Sequence, residues 1–151
     1  MRNKGVLFYR LGSYGFIAFA LIHSISFFGD PAQALTNEED RRVWQLIVSH
    51  VFTVEGFSTT AFKLLAGYNF YLSVFTLGLG LLNVVALKAL ATELAALKKL
   101  AAINLFTTAL LLLVTVSFFH LPPIILFSLI ALAFAVSFFL LAPAKGFSLK
   151  V

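Results

Sequence analysis

The side chains best suited to chemistry in this chain are its three histidines, His23, His50 and His120, and the carboxylate of Glu55 shortly after His50. Imidazoles converging with a carboxylate could bind zinc, copper or haem iron, or exchange protons near neutral pH. Their spacing carries none of the local ligand signatures, such as HExxH, that would bring them together. They meet only if the fold brings them to one level. His23, with Phe19 and Phe27 one turn to either side, reads more simply as a packed histidine. The chain contains no GxSxG, no phosphate-binding loop, no dinucleotide fingerprint and no paired aspartates for phosphoryl transfer. It also has no cysteine, which removes disulfides, thiol catalysis and thiolate-ligated clusters. The enzyme question stays open and leans towards no; no cofactor is required, with metal or haem the ones these histidines would suit.

The elements that must position these residues are four long apolar runs, 11–28, 64–87, 100–119 and 124–141, none of which contains Asp, Glu, Lys or Arg. About 20 helical residues cross a hydrocarbon core of roughly 30 Å. With water excluded, the backbone must satisfy its own hydrogen bonds, so each run is expected to be a helix. The composition agrees: 61% hydrophobic, 11% charged and a mean hydropathy of +1.01, where a soluble domain carries about a quarter charged residues. The expected fold is all-α, a single four-transmembrane-helix bundle over 1–151 with an outward amphipathic helix between the first two spans. A net charge of +5 could suggest a nucleic-acid partner, but the basic residues are scattered at helix ends. They read as topology signals, so no nucleic acid is expected.

Arg2, Lys4 and Arg10 precede the first span, Lys88, Lys98 and Lys99 lie between the second and third, and Lys145 and Lys150 follow the fourth. The first connection has Arg41, Arg42 and Lys63, and the third has no basic residue. The positive-inside rule then puts both termini in the cytoplasm of a multi-pass protein of the inner (plasma) membrane. All three histidines fall on the outward side. A basic start, an apolar stretch and Ala32-Gln33-Ala34 imitate a secretory signal, but the apolar run exceeds the usual core of about 7–15 residues. An uncleaved first span is the expectation.

In the first connection, Thr36-Asn37-Glu38-Glu39 reads as a capping box, with the Thr36 hydroxyl accepting from the Glu39 amide. Trp44, Ile47, Val48, Val51 and Phe52 recur at helical spacing, which predicts an amphipathic helix over about 37–55. With Trp44 near the headgroups it would lie on the bilayer, roof the bundle, or gate a ligand site. The third connection, His120-Leu121-Pro122-Pro123, is so short that the third and fourth spans must form an antiparallel hairpin.

Polar residues are expensive in lipid, so their pattern is informative. Asn69, Ser73, Thr76, Gly80 and Asn83 form one stripe on the second span, and Asn104, Thr108 and Thr115 another on the third. Such stripes glue helices together, and less often line a path for a neutral solute. Gly78 and Gly80 would allow close backbone approach. No span holds a carboxylate, which argues against proton-coupled transport. Ser-Phe-Phe recurs at 26–28, 117–119 and 137–139, most simply as lipid-facing or packing residues.

Gly15, His23, Phe27 and Phe28 in the first span, an outer amphipathic helix, and Gly67-Tyr68-Asn69-Phe70-Tyr71-Leu72-Ser73 opening the second resemble a group of small bacterial four-helix membrane proteins of uncharacterised function. The similarity covers about the first half of the chain. It implies a four-span bundle with His23 and Tyr68 near a common site, and implies no reaction. Candidate ligand-binding residues are thus His23, Tyr68, Asn69 and Trp44; candidate metal ligands are His23, His50, His120 and Glu55. The expected function is non-catalytic: an accessory subunit of a larger membrane complex, or a bundle binding lipid or a small hydrophobe. Its expected partners are membrane lipids and other membrane subunits or further copies of itself. The alternatives are an outer-leaflet enzyme or redox protein with a histidine-centred metal or haem site, and a passive transporter of a neutral solute.

Overall fold

The computed structural model describes residues 4–25, 32 and 35–141. Its order is α1 (Lys4–Ile25), α2 (Glu38–Ser49), β1 (Val51–Val54), β2 (Phe57–Thr60), α3 (Ala61–Ala89), α4 (Leu94–Phe118) and α5 (Leu121–Leu140). Helices α1, α3, α4 and α5 are each long and apolar enough to span a membrane, which makes the chain an all-α, four-helix membrane bundle. The imitation cleavage site and the first Ser-Phe-Phe fall largely outside the described residues. At 29 residues α3 is about 44 Å long, more than a hydrocarbon core requires. Its last turn, with Lys88, therefore lies beyond the apolar run.

The chain divides into two compact units, residues 1–19 with 76–151, and residues 20–75. In the first, the start of α1 and the end of α3 pack with α4 and α5. The α3–α4 turn is short: the Leu90 amide closes on Ala86 O at 2.9 Å and the Glu93 amide on Leu90 O at 2.9 Å. The α4–α5 turn is shorter still, with His120 as N-cap and the prolines at the first positions of α5, where a missing amide costs nothing. These two helices form the expected antiparallel hairpin, and Lys98 Nζ, near the start of α4, lies 4.8 Å from the ring centre of Phe138, near the end of α5. Against α5, helix α1 presents small residues and aromatics. The Phe134 ring meets Tyr9 edge-on at 5.5 Å and Phe16 at 5.7 Å, and Phe19 meets Phe127 at 4.4 Å. The Ser137 hydroxyl of α5 donates to Gly5 O, in the backbone of α1, at 2.9 Å. Small residues at such crossings are what lets membrane helices approach where no hydrophobic force separates lipid from protein.

The second unit corrects the predicted 37–55 helix. Helix α2 stops at Ser49, and Val51–Val54 pairs antiparallel with Phe57–Thr60 across a two-residue turn, so Val51, Phe52 and Glu55 are not helical. Val51 and Phe52 continued the helical spacing by coincidence. The decisive local signal is the β-branched, aromatic run on both sides of Glu55-Gly56, which favours strands. Both turn residues have positive φ, +50° at Glu55 and +87° at Gly56, as a type I′ hairpin requires. Glu55 pays the steric penalty that asparagine or glycine avoids. Glu55→Asn is expected to slow hydrogen exchange of the hairpin amides, and Gly56→Val to speed it by at least fivefold, about 1 kcal/mol. Equal protection in all three proteins would show that the turn does not control the hairpin.

The cap is also shifted. Asn37, not Thr36, accepts from the Glu39 amide, at 2.9 Å. Glu38, Glu39 and Asp40 follow in the first turn, where the helix dipole favours acids. Arg41 Nε reaches back to Leu35 O at 2.9 Å. At the other end of the hairpin, buried Thr60 accepts from the Lys63 amide at 3.2 Å and starts α3.

Candidate functional site

The predicted polar stripes do turn inward. Ser73, Thr76 and Asn83 on α3 and Asn104, Thr108 and Thr115 on α4 are buried, while Asn69 is half-buried. Gly80 meets α1 closely: a Cβ there would fall 2.5 Å from Ile17 Cγ1 and 3.0 Å from Ser13 O. Gly78, grouped with it by sequence, faces open space instead.

Within the four-helix unit the stripes converge on one closed network. The Asn83 and Asn104 amides bond reciprocally, Asn83 Nδ2 to Asn104 Oδ1 at 2.9 Å and Asn104 Nδ2 to Asn83 Oδ1 at 2.7 Å. Each Nδ2 also donates to the carbonyl one turn back, Leu79 O and Leu100 O, both at 2.9 Å. The buried Tyr9 hydroxyl donates to Asn83 Oδ1. Every amide hydrogen of the pair is used, and three helices are tied at one point. Tyr9 was not anticipated, although Gly5, Tyr9, Gly12, Ser13 and Phe16 lie along one side of α1 and could have marked a packed seam. The hydroxyls nearby serve their own helices: Ser13 bonds Tyr9 O at 2.8 Å, Thr108 bonds Asn104 O at 2.6 Å and Thr115 bonds Leu111 O at 2.6 Å. A network so closed can orient helices.

The histidine candidates sit apart in character. His23 is half-buried near the end of α1, His50 is the exposed C-cap of α2 with its ring stacked on Phe52 at 6.4 Å, and His120 is the exposed N-cap of α5. Glu55 occupies the exposed hairpin turn. Among the described residues, no group of three or more His, Asp or Glu gathers as a metal ion would need.

In the second unit, Lys63, Leu64, Gly67, Tyr68 and Tyr71 line an open groove of about 400 Å³ along the start of α3. Gly67 leaves its floor clear, and Tyr71 lies parallel to Phe75 at 6.4 Å. Of the ligand candidates only Tyr68 borders this groove; His23, Asn69 and Trp44 do not line it. Lys63 and Tyr71 are the residues that spacing alone missed. An ammonium and two phenols around an apolar floor suit an elongated apolar molecule with one polar end. Trp44 instead packs edge-on against Phe62 at 5.7 Å and holds α2 to α3.

Nothing else in α2 is anchored so firmly. It has no buried residue, and Val43, Leu46 and Val48 are exposed, as are Val51, Val54 and Phe57 of the hairpin, Phe57 to 78%. No family model matches this chain, and comparison with curated proteins and with solved structures finds no match to it.

Proposed function

We propose that this protein is a non-catalytic membrane subunit, its four-helix unit a fixed anchor and its α2–hairpin segment the surface it offers to a larger membrane complex. The observation that carries this reading is the apolar side of α2: Trp44 packs on Phe62, but among the described residues nothing buries Val43, Leu46 or Val48. A helix resting on the bilayer typically has a polar face rich in Lys and Arg. The polar face of α2 carries Glu38, Glu39 and Asp40 against Arg41 and Arg42, so a protein surface suits it better than anionic headgroups. The two-stranded hairpin adds exposed valines and open edges, a common docking element. By the positive-inside rule both termini and the α3–α4 turn face the cytoplasm, and the docking surface faces outward. The groove at Lys63, Tyr68 and Tyr71 favours a second reading, the binding of a lipid or small hydrophobe.

Native mass spectrometry of protein purified at endogenous level in mild detergent tests both. Partner chains are expected, and Leu46→Glu, at an exposed position, is expected to release them without loss of the folded bundle. Retention of lipid alone by wild type would favour the second reading. A haem band in the optical spectrum would overturn the first.

A further inference from the structure

Within the four-helix unit, α1 and the end of α3 enclose a second cavity, of about 250 Å³, lined by Val6, Arg10 and Tyr14 from α1 and by Val84, Leu87, Lys88 and Ala91 from α3 and the residues just after it. The α1 residues follow each other at i, i+4 and i+8, and the others at i, i+3, i+4 and i+7. The residues on α1 and on α3 each run along one helix face, so two helix faces make most of the cleft and the α3–α4 turn adds Ala91. We propose that this cleft is a binding site for an acidic phospholipid.

Charge is the first argument. Arg10 and Lys88 both border the cleft, and among the described residues no carboxylate does. Glu93 is the only acidic residue in this unit, and the only ion pair among the described residues is Arg42 with Glu38, in the other unit. Among the described residues the two cations therefore have no counter-charge. Arg10 is half-buried as well, and a guanidinium partly removed from water favours an anion that can take two of its hydrogen bonds, as a phosphate does. A zwitterionic headgroup would bring an ammonium into a site already positive; an acidic one would not.

Position is the second. Arg10 lies about 9 Å along α1 from Lys4, at 1.5 Å per residue, just inside the start of an apolar span. Val6, Val84 and Leu87 give the cleft an apolar floor beneath its charges, and Tyr14, half exposed, adds a phenol of the kind that settles at membrane interfaces. Free phosphate gains nothing from such a floor. A lipid places its phosphate between the cations and its glycerol and upper acyl chain on the valines. Lys4, Lys98 and Lys99 share this end of the helices, so the surrounding field also draws anionic headgroups.

The test is lipid titration of the full chain in detergent, followed by native mass spectrometry, with phosphatidylglycerol against phosphatidylcholine. Phosphatidylglycerol is expected to bind more tightly, and Arg10→Gln and Lys88→Gln to weaken it roughly fivefold for each charge removed. Ala91→Glu, at an exposed position in the wall, should weaken it similarly by bringing in a carboxylate while leaving both cations in place. The pair Lys98→Gln and Lys99→Gln, outside the cleft, lowers only the surrounding field and should weaken binding less than either single change in the cleft. Equal affinity for the two lipids, or equal loss from the Lys98 and Lys99 changes, would overturn the proposal. Displacement of the lipid by inorganic phosphate at matched concentration would also overturn it and identify a soluble anion as the ligand. Unfolding midpoints without added lipid check that each variant is folded.

Discussion

Replacing Asn83 by leucine is expected to be the most destabilising conservative change in the four-helix unit. The substitution keeps approximate size and removes the shared partner of two other helices. Three interhelical hydrogen bonds disappear: both of the reciprocal bonds to Asn104 and the one from Tyr9. At about 0.6 kcal/mol each, the average for bonds between membrane helices, their loss comes to about 2 kcal/mol. The Tyr9 hydroxyl and the Asn104 amide are then left in a dry interior, and a buried group without a partner costs about 1–3 kcal/mol. With one such penalty added to the lost bonds, the loss comes to roughly 3–5 kcal/mol, read as a lower unfolding midpoint in an SDS titration from mixed micelles. The diagnostic comparison is the triple change Tyr9→Phe, Asn83→Leu, Asn104→Leu. Removing all the partners together strands no polar group, so the triple variant should recover most of the lost stability. A triple variant as unstable as the sum of its parts would show that the residues act independently and do not form one clamp.

The second large effect is expected at Gly80, with Gly78 as its internal control. The two glycines look alike in sequence. Alanine at Gly80 would place its Cβ 2.5 Å from Ile17 Cγ1, and, worse, 3.0 Å from Ile17 N and Ser13 O, which belong to the backbone of α1. The Ile17 side chain can rotate away; a helix backbone cannot. The helices must separate, and overpacking of this kind costs about 1–3 kcal/mol. The Tyr9–Asn83 bond lies along the same α1–α3 crossing, so the displacement should weaken it too. Alanine at Gly78 meets nothing within 4 Å and gains helix propensity of about 1 kcal/mol. Gly80→Ala should therefore lower the unfolding midpoint while Gly78→Ala leaves it unchanged or raises it. Equal effects at both positions would mean that α1 and α3 do not cross closely at Gly80.

The helical character of the four spans was legible in the sequence because hydropathy is a local property. Twenty apolar residues without charge have few stable alternatives in lipid, whatever surrounds them. The antiparallel α4–α5 hairpin was equally legible, since a connection of a few residues permits only one neighbour. The inward-facing stripes on α3 and α4 were legible for a different reason: polar groups in lipid have to face protein. Where that signal was missing, sequence failed. In a membrane the outside of a bundle is as apolar as the inside, so hydrophobicity did not tell which side of α1 meets α5, nor that Tyr9 completes the asparagine pair. Arg10 and Lys88 could be read only as topology signals, because their meeting across one cleft depends on how two helices distant in sequence are rotated. The hairpin after Ser49 is a local matter that helical spacing masked: Val51 and Phe52 fit both periods, and the pairing of Val51 with Thr60 decided between them. Composition and spacing thus determined the class, the spans and their polar seams, while the clamp, the cleft and the exposed face of α2 were decided by tertiary packing, because each depends on which surfaces are turned towards one another.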